Sequence, residues 1–150
     1  MHFLGEYEST VDSKGRFLLP AGFKKQLPDG ETRFVISRGF EECLTLYPMQ
    51  VWQPLHARIS NLNQFDPKVR QFQRQFLGGA TEVELDSAGR LLLPASLKGH
   101  AKLEKDITLV AQGDKLEIWD TANYKKLFDS FDANAFSVLA NEVMGQQQIG

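Results

Sequence analysis

A ten-residue segment occurs twice in this chain, and that repetition constrains its fold more than any other feature. Asp12-Ser13-Lys14-Gly15-Arg16-Phe17-Leu18-Leu19-Pro20-Ala21 returns as Asp86-Ser87-Ala88-Gly89-Arg90-Leu91-Leu92-Leu93-Pro94-Ala95. The correspondence runs on. Thr32-Arg33-Phe34-Val35-Ile36 reads like Ile107-Thr108-Leu109-Val110-Ala111, and Cys43-Leu44-Thr45-Leu46-Tyr47 reads like Lys115-Leu116-Glu117-Ile118-Trp119. Each half then enters a helical stretch with an aromatic near its start, Trp52 in one and Tyr124 in the other. Self-similarity at a fixed offset decides architecture before local propensity does. It implies an α+β chain made of two tandem modules, 1–79 and 80–150, with a pseudo-twofold internal repeat. At 150 residues, two closely packed half-domains can bury a sizeable common core.

The local signals agree between the halves. Thr81, Val83 and Leu85 alternate with Glu82, Glu84 and Asp86, a period-two strand with one wet face, and Gly5 to Val11 is its weaker counterpart. Asp-Ser-x-Gly follows, with aspartate first and glycine fourth in a four-residue turn. Asp12 and Asp86 cap backbone amides there, and Gly15 and Gly89 tolerate the exit geometry. The returning strand is Arg16 to Leu19, or Arg90 to Leu93, and Pro20 or Pro94 ends it and opens a short helix. Two more strands are predicted in each half, then helices. Trp52, Leu55, Ile59 and Leu62 mark one helix face. Asp66-Pro67 starts a second helix, with Val69, Phe72, Phe76 and Leu77 on its apolar side, and Gly78-Gly79 stops it. In the second half, Tyr124, Leu127, Phe128 and Phe131 form one stripe, and Phe136, Leu139, Ala140 and Val143 another. All these stripes read as core, and the tail Gly145–Gly150 reads as frayed.

Composition excludes more than it selects. The chain is 42% hydrophobic and 24% charged, ordinary for a globular protein. It has no apolar run of the about 18–20 residues that a membrane span needs, and no secretory signal layout. Its single cysteine, Cys43, lies in an apolar strand pattern as a small buried hydrophobe. These features point to the cytoplasm. Catalysis has no visible support. His2, His56 and His100 are scattered, no metal-ligand spacing or phosphate loop occurs, and turn capping accounts for both aspartates. No catalytic residue, metal or cofactor is therefore expected.

The net charge of −2 gives no global basic footprint, but the charges are segregated. Lys14, Arg16, Lys24 and Lys25 face only Asp12 between Val11 and Leu27. Arg58, Lys68, Arg70 and Arg74 face only Asp66 between Leu55 and Gly79. Beyond Gly113 the balance turns acidic, with Asp114, Glu117, Asp120, Asp129, Asp132 and Glu142 against Lys115, Lys125 and Lys126.

The repeated arginine carries the functional question. Between halves the apolar positions drift, Phe17 to Leu91 and Phe23 to Leu97, and Lys14 becomes Ala88, yet Arg16 and Arg90 correspond. A guanidinium just past a hairpin tip calls for a partner. One candidate is internal, Asp12 or Asp86 across the same turn. The other is double-stranded DNA, since a two-stranded ribbon fits the major groove and arginine bonds guanine bidentately. Lys14 would add phosphate affinity. So few contacts per chain would require several chains on one assembly, each reading one of a series of repeated sites. Two other readings stand beside this one. A helix-turn-helix could place Lys68, Arg70 and Arg74 on a recognition helix. The chain could also be an oligomeric interaction scaffold without DNA readout, whose motifs only hold hairpins and subunit contacts.

Strand, Asp-Ser-x-Gly-Arg, hydrophobic strand and proline together resemble the AbrB/SpoVT type of swapped-hairpin DNA-binding module. The tandem form, with Arg70-Gln71-Phe72-Gln73-Arg74-Gln75-Phe76-Leu77-Gly78-Gly79-Ala80 before the second unit, resembles the MraZ family from Gly5 to about Val143. That resemblance implies a nucleoid-associated bacterial transcriptional regulator of the division and cell-wall gene cluster. It also implies a ring-shaped homo-oligomer on short direct repeats in its own promoter. The family's DNA-contacting arginine falls on Arg16 and Arg90. Lys14 is its accessory in the first half, and Ala88 in its place makes the first hairpin the expected stronger reader.

Overall fold

The computed structural model describes residues 1–147. The first half runs β1 (Glu6–Thr10), β2 (Arg16–Leu18), α1 (Ala21–Lys24), β3 (Arg33–Arg38), β4 (Leu44–Pro48), α2 (Met49–Ser60) and α3 (Pro67–Leu77). The second repeats the order with β5 (Thr81–Glu84), β6 (Arg90–Leu92), α4 (Ala95–Ala101), β7 (Asp106–Gln112), β8 (Lys115–Asp120), α5 (Thr121–Lys126) and α6 (Ala133–Gln147). The chain is mixed α+β, built on antiparallel sheets. Of the tail expected to fray, Gly145 to Gln147 continue α6, and 148–150 lie outside the described residues.

The two halves are interleaved. A six-stranded sheet has the order β1-β7-β8-β4-β3-β5, so each hairpin lends its first strand to the other half. β1 pairs antiparallel with β7, and β5 with β3. The seam is β4 against β8, where Leu44 faces Ile118 and Leu46 faces Leu116 about a pseudo-twofold at Thr45 and Glu117. The second strands of the hairpins meet each other in a two-stranded ribbon, β2–β6, with Phe17 opposite Leu91. Leu93 N–H donates to the Gly15 carbonyl at 2.8 Å and Leu19 N–H to the Gly89 carbonyl at 3.0 Å, extending that ribbon symmetrically.

The core lies between ribbon and sheet. Phe17, Leu19, Leu91 and Leu93 point in from the ribbon, and Phe23 and Leu97 from α1 and α4. They pack on Phe34, Ile36, Leu44, Leu46, Ile107, Leu109, Leu116 and Ile118 of the sheet. Burying each such side chain contributes about 1.5–3 kcal/mol. Cys43 is buried at the edge of this layer, and desolvation pushes its thiol up to about 12, so it stays a neutral packing group.

The opposite sheet face is covered unevenly. Over the first half, Trp52 and Ile59 of α2 and Phe76 of α3 close a second cluster on Val35 and Tyr47. The cap at Asp66 forms as the sequence predicts, its carboxylate accepting from Lys68 N–H at 2.9 Å. Over the second half, among the described residues, α5 alone makes substantial contact with this face, with Tyr124 against Trp119 at a ring separation of 5.9 Å. The reading of both C-terminal stripes as core is corrected here. Leu127, Phe128, Phe131, Phe136, Leu139 and Val143 are all exposed, and α6 makes no substantial contact with any other element. Leu62 is also exposed, since α2 ends at Ser60. Helical periodicity identifies a face that favours burial but not the surface that buries it.

Candidate nucleic-acid interface

Each Asp-Ser-x-Gly-Arg turn is held by one carboxylate. Asp12 Oδ1 accepts from the Lys14 and Arg16 backbone amides, both at 2.9 Å, and Oδ2 accepts from Arg16 Nε at 2.9 Å. Asp86 does the same with the Ala88 and Arg90 amides and with Arg90 Nε, each at 2.9 Å. The turn closes through Gly15 N–H to the Asp12 carbonyl and Gly89 N–H to the Asp86 carbonyl, both at 3.0 Å. The glycines stand at φ +86° and +80°, where a Cβ is strained. Donation from the Arg16 and Arg90 amides, first among several causes, holds the Asp12 and Asp86 carboxyls below the usual carboxylate range.

The internal partner weighed for the arginines is thus present, and it leaves much of the guanidinium free. Only Nε is engaged. Among the described residues neither Nη group of Arg16 or Arg90 donates a hydrogen bond. A guanidinium carries five N–H donors, and the edge used for bidentate recognition includes the Nη groups. The aspartate therefore orients the arginine without exhausting it.

Strand alternation sets where the arginines point. In β2 and β6 the middle residues, Phe17 and Leu91, go to the core, so Arg16, Leu18, Arg90 and Leu92 lie on the outer face. The register sets Arg16 opposite Leu92 and Arg90 opposite Leu18. Both arginines thus share one ribbon as a diagonal pair, about 7–8 Å apart at the backbone. Leu18 and Leu92 between them are 56% and 54% exposed, unusual for leucines within a strand pair. The period-two reading of the sequence placed these leucines in a strand but not on the arginine face. The signal was there, because a core-facing Phe17 dictates an outward Leu18.

Lys14 is exposed beside the first turn. At the second turn, where Ala88 stands in its place, a lysine arrives from the other half. A Cβ added at Gly89 would lie 3.3 Å from Lys24 Nζ, whereas one at Gly15 would meet only Leu92 and the Leu93 carbonyl. Nothing local in the sequence marks Lys24, because its position depends on β2 pairing with β6. Lys68, Arg70 and Arg74 of the helix-turn-helix alternative are exposed on α3, with Arg70 Nη1 tied to the Gln64 carbonyl at 2.9 Å. Among the described residues no His, Cys, Asp or Glu cluster suits a metal, and no helix is long and apolar enough to cross a membrane.

Comparison with known proteins bears on the same repeat. The profile of the family described as "MraZ protein, putative antitoxin-like" matches residues 2–75 and again 76–145, each match holding one turn and one arginine. The chain belongs to the MraZ family. It is 46% identical over 143 residues to a Cytophaga hutchinsonii protein named Transcriptional regulator MraZ, covering 95% of this chain and 94% of that one. A protein of the same name from Christiangramia forsetii is 43% identical over 147 residues, covering 97% and 94%. Another from Desulfitobacterium hafniense is 42% identical over 142 residues, covering 93% and 97%. The MraZ match thus spans both modules, the ribbon they share and most of the C-terminal helices.

Proposed function

We propose that this chain is a DNA-binding transcriptional regulator whose β2–β6 ribbon enters the major groove of promoter DNA. The observation that carries the reading is the outer face of the ribbon. Two arginines pre-oriented by aspartates with their Nη groups free flank two exposed leucines, and a lysine stands beside each turn. Arg16 and Arg90 would read guanine edges, each contact worth about 1–3 kcal/mol of discrimination. Leu18 and Leu92 offer apolar contact of the kind a thymine methyl accepts. Lys14 and Lys24 supply phosphate affinity, so the pairing of one lysine with each turn makes the two arginines comparable readers.

The names of its relatives support the regulatory part. With modules 1–79 and 80–150 converging on one ribbon, each chain presents a single small reading element. Selective occupancy then calls for several chains on one assembly over direct repeats, as in the ring-shaped homo-oligomer that the family resemblance implies. The expected locus is the promoter of the division and cell-wall gene cluster that contains its own gene, which would make the protein nucleoid-associated.

The test is fluorescence anisotropy on a fragment from upstream of its own gene, against a scrambled fragment, at two salt concentrations. Light scattering would monitor the oligomer. Selective binding by the native protein, lost in both Arg16→Ala and Arg90→Ala with assembly intact, is the expected result. An absence of selective binding by the native protein would sink the regulator reading and leave the oligomeric scaffold.

A further inference from the structure

We infer that the cleft between α2 and α3 is the seat of the C-terminal helical segment of a second copy of this chain, docked head to tail. The inference rests on the homo-oligomeric part of the proposed function and supplies the contact that part lacks. The receiving surface is a cleft of about 850 Å³ whose lining includes Phe40, Leu55, Arg58, Leu62, Phe72 and Phe76. Phe40 is 77% exposed, yet it stacks on Phe72 and Phe76 at ring separations of 6.5 and 5.9 Å, forming an open aromatic wall. Such a wall in water marks an interaction surface.

The same chain carries a segment with the complementary need. Leu127, Phe128, Phe131, Phe136, Leu139 and Val143 are exposed, and among the described residues α6 makes no substantial contact with another helix or strand. Fifteen residues of helix give a rod of about 22 Å. Charge selects this occupant over an arbitrary apolar one. From Leu127 to Gln147 the charged residues are Asp129, Asp132 and Glu142, without a lysine or arginine. The cleft lining carries Arg58 and Lys115 against Asp114, a net positive charge, whereas Arg70 and Arg74 line a separate pocket on the far side of α3. Donor and acceptor are different surfaces, so the contact is heterologous and propagates from chain to chain, closing into a ring when the rotation allows. The ribbon takes no part in it, which leaves the DNA-reading face of every subunit free.

Two single substitutions on exposed side chains test this without touching the core. Phe136→Glu spoils the donor and Phe40→Glu the acceptor, with Phe131→Glu and Leu62→Glu as second choices should either fail to fold by circular dichroism. Size-exclusion chromatography with light scattering on the full chain should show an oligomeric native protein, and each variant shifted to monomer at tenfold or higher concentration. Mixed together, the two variants should form a one-to-one dimer and nothing larger, because only one intact donor and one intact cleft meet. If Phe136→Glu dissociates the assembly while Phe40→Glu does not, the helices pair with each other and the inference is wrong. Native-size oligomers from both variants would overturn it while leaving the oligomeric reading intact. A monomeric native protein would overturn both.

Discussion

Asp12 and Asp86 each divide one carboxylate between two tasks. One oxygen gathers the turn's amides and the other aims an arginine. Both tasks need the ionised form, which is why these carboxyls sit below their usual range. A group whose native pKa is depressed stabilises the fold above its unfolded value and loses that contribution as pH falls through the native one. The native protein should therefore lose stability in urea progressively below about pH 4. In the Asp12→Asn/Asp86→Asn double variant that acid limb should flatten, and an equally steep limb would show that other carboxylates carry it. The amide keeps an acceptor for the turn but presents N–H groups to the arginine, so selective DNA binding should weaken although the hairpins persist. Lys24 behaves differently because it faces phosphate rather than base. Lys24→Ala should weaken binding to all sequences alike and reduce the slope of log K against log salt by about 0.9 for each chain engaged on the DNA, measured by anisotropy across a salt series. A change in sequence preference instead would move Lys24 from the phosphates to the bases.

The hairpin is the element where sequence and structure agree most closely. Aspartate first, glycine fourth and arginine fifth is local chemistry, and it produced the turn, the capping and the positive φ at both sites. Gly15→Ala should cost about 1–2 kcal/mol in chemical denaturation, since a left-handed backbone penalises any Cβ even where the nearest atom is 3.6 Å away. A neutral result would mean that the turn relaxes to another type. The helix over Pro67–Leu77 was equally legible from its cap and its glycine stop. What local pattern could not supply was partnership. Gly5 to Val11 announces a strand, but not that it pairs with β7 of the other half. The Phe136 stripe announces an apolar helix face, but among the described residues no other helix or strand packs on it and it stays exposed. The outward leucines and Lys24 of the candidate interface belong to the same class, fixed by cross-half register and not by their neighbours in sequence.

At the scale of the molecule, the two halves depend on each other. Each of β1, β2, β5 and β6 has its principal partner across the repeat, so a fragment cut after Gly79 keeps the β3–β4 hairpin and the Val11–Phe17 bridge of the first turn but loses the sheet and ribbon partners of β1 and β2. A repeat creates a competitor for that pairing, since each fragment could pair with a second copy of itself. The core discriminates between these outcomes by size. Phe17 meets Leu91 at the centre of the ribbon, and Phe23 and Leu97 occupy the equivalent places on α1 and α4, all fully buried. One phenylalanine and one leucine fill each of these two pairs of positions. A pair of first halves would set phenylalanine against phenylalanine, overpacking that costs about 1–3 kcal/mol per site. A pair of second halves would leave voids where two rings are missing, at about 24 cal/mol per Å³ of cavity. Fragments 1–79 and 80–150 should therefore fold poorly apart and combine as a one-to-one heterodimer when mixed, read by native mass spectrometry and by a cooperative melt found only in the mixture. Phe17→Leu in the first fragment should remove the overpacking and raise the share of its homodimer, while Leu91→Phe in the second should do the same for its partner. If either native fragment melts cooperatively as a monomer, the interleaving is not what holds the fold together, and the modules are independent units placed side by side.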